Sequence, residues 1–391
     1  MGDDAGPMLP PEMPVPDSDA LDASRALTAR IEAAIASNGG WIPFANYMQL
    51  ALYAPGLGYY TGGAQKFGAA GDFVTAPSLG PLFAQTLARQ VAELLGRSAP
   101  HIVEFGAGGG ELAGALLAEL ALAGCAVMSY SILEPGTELR GRQRETIAKL
   151  APDLSGKVAW IDRLPKAFRG AMIANEVADA MPVHTLSWRD EGLFERGVAL
   201  EDGKLAWAER PASDEVLAAA LELPVAPPYA SEIGLAARGW MRSVAESLEL
   251  GALLVIDYGF PAHEYYHPQR STGTLMCHYR HFAHSDPFLY PGLQDITAHV
   301  DFSALGAAAR VSGLDILGYA TQSNFLVNCG ITKVLERGDP TDVRRFAPIA
   351  ATAQKLLSPA EMGELFKVLC VGRGIAQGLL GFARGERSHT L

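Results

Sequence analysis

The 391-residue sequence is poor in several features that would announce a function. It has only four cysteines, Cys125, Cys277, Cys329 and Cys370, far apart and without a C-x-x-C pair. That usage argues against a zinc ribbon or a disulfide frame and fits reduced, mostly buried thiols in a cytoplasmic protein. No apolar run is long enough to cross a bilayer. Basic residues are in deficit, 31 Lys and Arg against 43 Asp and Glu, for a formal charge of −12. A general binder of nucleic-acid backbone is disfavoured on that balance. The first twenty residues lack an apolar core and early arginines, so they read as a disordered tail and not as a secretory signal or transit peptide. Six of the nine histidines fall between Phe260 and Val300, yet no H-E-x-x-H or close pair on one helix face occurs, so no metal is expected. No internal repeat is visible.

What is present is organised around HIVEFGAGGGELAG, His101 to Gly114. A short apolar run, a glycine turn and an Ala/Leu-rich helix at 111–122 form the first unit of a doubly wound, Rossmann-like α/β fold. The dinucleotide fingerprint G-x-G-x-x-G would need a third glycine at Glu111, which disfavours an NAD-dependent oxidoreductase. The spelling is instead E-x-G-x-G-x-G, from Glu104 to Gly110. It resembles motif I of the class I S-adenosylmethionine (SAM) methyltransferases. That resemblance puts Gly106, Gly108 and Gly110 under the amino-acid end of SAM, with Glu104 near its ammonium group. The bland alternative is a plain tight turn.

Helices are expected at 22–38 and 44–53, then a glycine- and aromatic-rich loop at 57–77 that includes Asp72 and Thr75. The loop is too long and apolar for an ordinary connection, so it reads as a lid over the cofactor or as a loop packed on the core. A helix at 79–96 leads into the glycine strand. A second strand at 127–133 ends in Glu134, where doubly wound nucleotide sites place an acid on the ribose hydroxyls. A third, 158–161, carries Trp160 and precedes Asp162. These two stand equally as adenine contacts and as a core Trp with a loop-capping Asp. A fourth, 171–174, ends in Asn175 and Glu176, with Asp179 close behind. Strand four ends beside the transferred methyl in this fold, so these three face a cationic substrate or internal donors.

Short alternating segments follow from Ser187, with turns expected at Glu191-Gly192 and Asp202-Gly203. Residues 224–231 lead into Glu232 and a helix through Leu248, and a fifth strand at 251–256 ends at Asp257. Residues 291–305 give a turn, an extended polar piece that includes His299, and a helix. Later helices are expected around 354–357 and 362–369, and the terminal GERSHTL reads as frayed. The expected segments are a tail at 1–20, helices and lid at 21–98, a SAM-binding core at 99–186, an inserted β-hairpin and helical subdomain at 187–250, and the rest of the core at 251–380.

Five blocks together carry a closer resemblance: GYYTGGAQKFGAAGDFVTAPSLGPLFA, VEFGAGGGELA, ANEVADAMPV, LLVIDYG and PGLQDITAHVDFSAL. Over about Leu27 to Gly374 the chain resembles the MidA family of SAM-dependent methyltransferases. Mitochondrial members of that family are complex I assembly factors that methylate an arginine of a core subunit. The resemblance implies SAM as cofactor, Gly106, Gly108, Gly110 and Glu134 as its contacts, Asp72 and Thr75 closing over it, and Asn175, Glu176 and Asp179 at the substrate. Two carboxylates can grip a guanidinium bidentately. Glu176 is the first choice, Asp179, Glu232 or Asp257 the second, and His299 a proton acceptor. The implied partner is a protein and not a nucleic acid, such as a complex I-type subunit met in the bacterial cytoplasm, and a homodimer is compatible with the sequence. The rival readings are a SAM-binding assembly chaperone with little or no catalysis and a small-molecule methyltransferase.

Overall fold

The structure, a computed structural model, describes residues 13–62 and 75–391. It divides into two compact units. One takes the described residues of Val74–Asp179 with Ala237–Ala262 and Val300–Leu391; the other takes those of Met1–Phe73 with Ala180–Ala236 and His263–His299.

The first is an α/β unit whose eight-stranded sheet has seven main strands, β1 (His101–Phe105), β2 (Ser129–Leu133), β3 (Val158–Ile161), β4 (Phe168–Asn175), β5 (Leu248–Phe260), β6 (Asp315–Thr321) and β7 (Phe366–Arg373), with the short Val300–Asp301 also paired parallel to β5. Their order is β3-β2-β1-β4-β5-β7-β6. Strands β1 to β5 are parallel, and β7 runs antiparallel between β5 and β6. Ala171–Ala174 in β4 and Ala252–Ile256 in β5 are wholly buried, which is why both read as unbroken apolar runs without alternation. Helix α1 (Leu82–Arg97) and helix α2 (Glu111–Leu122) pack Leu87, Val91, Leu116 and Leu120 on Ile102, Ile132, Ile173 and Leu254. Helix α3 is Thr137–Leu150. After β1 the chain builds toward β2 and β3, and after β4 toward β5. The loops leaving β1 and β4 therefore diverge, opening a crevice at the carboxyl ends of those strands.

The second unit has a five-stranded antiparallel sheet in which Ile42–Pro43, Gly192–Glu201, His184–Arg189 and Tyr229–Ile233 lie in that order, with Lys204–Pro211 also paired to Gly192–Glu201. A three-stranded sheet joins Phe282–His284, Met276–Tyr279 and Asp295–Thr297. Helices Ser18–Ser37 and Phe44–Tyr53 supply Leu27, Ile31, Phe44 and Met48 to a core that also holds Val198, Cys277 and Ile296.

Several expectations are corrected. The first helix begins at Ser18, inside the expected tail, because the Asp17 side chain caps it by accepting from the Ala20 N–H. Tyr229–Ile233 is a strand, so Glu232 sits within a sheet and not at a helix start. Arg189 pairs with Gly192, so the hairpin loop is Asp190-Glu191 and Gly192 already belongs to the strand. The helix expected at 362–369 stops at Leu365; Phe366–Arg373 is instead β7, paired on both edges, and this tertiary pairing overrides local helix propensity. GERSHTL is not frayed: the Arg387 N–H donates to the Tyr319 carbonyl (2.6 Å) and its guanidinium to Glu364 (2.9 Å). The expected 187–250 segment does not stand alone, since its sheet shares a unit with Ile42–Pro43 and with His263–His299.

Candidate functional site

The crevice is built first from the β1 turn. Gly106, Gly108 and Gly110 have φ of 57°, 53° and 92°, a region that side chains resist. A Cβ at Gly110 would also lie 2.9 Å from the Gln143 Cα. The turn therefore presents bare backbone ahead of α2, where free N–H groups favour negative charge. Glu104, one residue before the end of β1, is buried and accepts a 2.7 Å hydrogen bond from the Tyr130 hydroxyl. Burial raises its carboxyl from 4.5 to about 8, against the lowering effect of the Tyr130 bond and with small contributions from Glu111 and Glu134.

At the end of β2, the buried Glu134 accepts from the Gly136 N–H at 2.9 Å and from Gln143 Nε2 at 3.1 Å. Gln143 Nε2 also donates to the Gly108 carbonyl (3.0 Å), and Gln143 Oε1 accepts from Trp160 Nε1 (2.7 Å). Gly106 in turn donates its N–H to the Leu133 carbonyl at 3.1 Å. Glu134, the glycine turn and Trp160 are thus tied together. Asp162 is placed differently: its carboxylate is mostly exposed and paired with Arg140 at 2.5 Å.

The end of β4 carries the acids. Glu176 has a left-handed φ of 54°, and its N–H donates to the Ile256 carbonyl at 2.9 Å. Its Oε1 accepts from Asn175 Nδ2 (3.0 Å) and from the Ala76 N–H (3.4 Å). Thr75, just before Ala76, is half-buried, while Asp72 lies outside the described residues. Asp257, fully buried at the end of β5, accepts on Oδ2 from the N–H groups of Val177 (3.1 Å), Ala178 (2.9 Å) and Asp179 (3.3 Å). Its Oδ1 accepts from the Tyr258 N–H at 2.9 Å. Burial, then the charges of Asp179 and Glu176, push the Asp257 carboxyl well above its ordinary range. Asn175 Oδ1 is buried without a hydrogen-bond partner among the described residues. Such an acceptor is costly and invites a donor from a ligand.

Glu232 and His299 belong to the other unit. Glu232 accepts from the Thr274 N–H and hydroxyl (2.9 and 3.0 Å), the Leu275 N–H (3.3 Å) and the Tyr265 hydroxyl (3.3 Å). Burial raises its carboxyl, and these donors work against that. It anchors the 273–275 loop. The His299 N–H donates to Thr274 Oγ1 at 3.1 Å. Gln143 and Tyr130 were not singled out from sequence. Gln143 had a signal, however: with Leu139 and Ile147 it forms the buried stripe of α3, and an amide amid apolar i, i+4 neighbours needs internal partners.

A doubly wound sheet with an antiparallel strand between β5 and β6, a left-handed glycine turn after β1 and an acid at the end of β2 define a class I SAM-dependent methyltransferase. The family model "Putative S-adenosyl-L-methionine-dependent methyltransferase" matches residues 83–320, and the chain belongs to that family. A crystal structure from Burkholderia thailandensis, described as a "likely methyl transferase" bound to S-adenosyl-homocysteine, is 53% identical with a TM-score of 0.94, covering 97% of this chain and 100% of that one. Among curated relatives, "Protein arginine methyltransferase NDUFAF7, mitochondrial" of Danio rerio is 29% identical, over 85% of this chain and 83% of its own length. The Homo sapiens protein of the same name is 27% identical, over 84% and 79%. SAM is the cofactor. The bare glycine backbone and the orphaned Asn175 Oδ1 fit a ligand with an amino-acid end.

Proposed function

We propose that this protein is a protein-arginine N-methyltransferase of the bacterial cytoplasm whose target is a complex I-type subunit. The observation that carries this reading is the acidic end of β4, where Glu176 and Asp179 flank a turn held by Asp257. A guanidinium is always charged and is a poor nucleophile. The half-buried Glu176 and the buried Asp179 offer it a complement that a neutral substrate would waste. The named arginine methyltransferases among the relatives, and the family resemblance, support the same target class.

SAM supplies an electrophilic methyl group when bound. Glu104, Glu134 and the glycine turn would hold it, with Thr75 and Asp72 as further contacts. Glu176 grips the guanidinium through paired N–H···O bonds and aims one nitrogen into the crevice. Asp179 is the second carboxylate. Asn175 orients Glu176 through its amide. Asp257 holds the turn, and so is a weaker choice for the grip than Asp179.

The test uses tritiated SAM and lysate from cells lacking the protein, beside a Gly106→Val control. A labelled protein band whose modified residue is an arginine by mass spectrometry is the expected result. Label confined to small molecules moves the substrate to a metabolite. Binding of SAM without any labelled product favours a SAM-binding assembly chaperone.

A further inference from the structure

Gln143 is fully buried, and its side chain joins the β1 turn, the end of β2 and strand β3. Indole N–H groups only donate, and carbonyls and carboxylates only accept. The amide orientation is therefore forced: Oε1 must face Trp160 and Nε2 must face Gly108 and Glu134. Both amide hydrogens are used, one on the β1 turn and one on Glu134 Oε2. The Gly136 N–H fixes the other carboxylate oxygen at 2.9 Å. Arg144 lies over the Trp160 ring at 4.5 Å, steadying the donor that orients Gln143. Behind this, the Gln143 backbone closes on Gly110, where a Cβ would come within 2.9 Å.

We propose that Gln143 is a positioning residue for cofactor selection: it aims the Glu134 carboxylate at the ribose and sets the glycine turn in register with it. The inference rests on Glu134 facing the ribose hydroxyls, which is tested separately below. Leucine or methionine would fill the same space, so packing alone does not require an amide here. What the amide adds is an oriented relay from Trp160 through Gln143 to Glu134.

The experiment measures dissociation constants for S-adenosylhomocysteine and its 2′-deoxy analogue by calorimetry. A hydroxyl donating to a charged, oriented carboxylate predicts a preference of about ten- to hundredfold for the natural ribose in the wild type. Glu134→Gln should lose most of that preference; if it does not, the ribose reading of Glu134 fails. If it does, Gln143→Met should also shrink the preference toward unity. Gln143→Glu should add a pH dependence, because the introduced carboxyl donates to Glu134 only while protonated. Its preference for the natural ribose should fall as pH rises, while that of Gln143→Met does not change with pH; the ratio of the two dissociation constants cancels any titration common to both ligands. Trp160→Phe keeps the ring and removes only the orienting N–H, and should cost a severalfold part of the preference with the fold intact. Loss of preference in Glu134→Gln with full retention in Gln143→Met and Trp160→Phe would overturn the positioning role.

Discussion

At the scale of single residues, Glu176 and Glu104 make opposite demands on charge. Glu176 keeps a side chain in the left-handed region, a conformation that costs about 1–3 kcal/mol and persists where surroundings over-determine it. If its carboxylate grips the substrate, Glu176→Gln should lower kcat at least about a hundredfold while leaving the SAM dissociation constant within about threefold. Single-turnover methylation beside calorimetry separates the two, and a variant with normal turnover would remove Glu176 from the mechanism. Glu104 is buried, with its carboxyl raised from 4.5 to about 8. The folded apo chain therefore keeps a proton that the unfolded chain releases. The sign follows: between 4.5 and about 8 its contribution to stability declines as pH rises. If Glu104 receives the ammonium of SAM, that cation reverses the preference, and SAM binding at pH 7 should expel close to one proton. Affinity should then tighten by about tenfold per pH unit up to the raised value. Calorimetry in buffers of different ionisation enthalpy measures the proton, and Glu104→Gln should abolish that component. Equal proton release in both proteins would show that Glu104 is not the group.

At the scale of elements, the turn at 177–179 is held from across the sheet by Asp257. Its four backbone donors are local to two strand ends, so removing the carboxylate leaves N–H groups unsatisfied in a dry site. Asp257→Ala should cost about 3 kcal/mol in denaturant unfolding and speed amide exchange at Val177, Ala178 and Asp179. Asp257→Asn keeps a carbonyl oxygen for the N–H groups of Val177, Ala178 and Asp179, so it should retain most of kcat. A gripping carboxylate would lose activity equally in both variants, which makes the comparison decisive between anchor and grip. The same turn marks where sequence reading stops. Helices Phe44–Tyr53 and Glu111–Leu122 and strand Val158–Ile161 were legible to the residue, because period, glycine and proline signals agreed. Glu104, Glu134 and Glu176 were legible as acids at strand ends. The role of Asp257 was not, since its partners are backbone N–H groups about eighty residues away in sequence. The strand Phe366–Arg373 failed for a related reason: its extended state depends on two neighbouring strands that no local window contains.

At the scale of the whole molecule, the charge of −12 is an argument about encounter and not about fold. An arginine-bearing protein segment is cationic and is drawn to an acidic chain at long range. Such attraction is screened over a Debye length of about 10 Å at 0.1 M salt and about 3 Å at 1 M. Contacts buried within the crevice are screened far less. S-adenosylhomocysteine has no net charge, and the proposed contacts to it from the glycine turn and Glu134 are short-ranged. Raising salt from about 0.05 to about 0.5 M should therefore reduce kcat/KM for a basic arginine peptide at least severalfold. The dissociation constant for S-adenosylhomocysteine should change by less than about twofold over the same range. Peptide methylation followed across that range, with calorimetry on the cofactor product in parallel, makes the comparison. A flat kcat/KM would argue that substrate capture does not use the acidic field, and would shift weight from a cationic protein segment to a neutral small molecule. A steep fall in both quantities would instead mean that salt disturbs the crevice itself. Only the split, with steering lost and cofactor retained, is what an acidic methyltransferase acting on arginine should give.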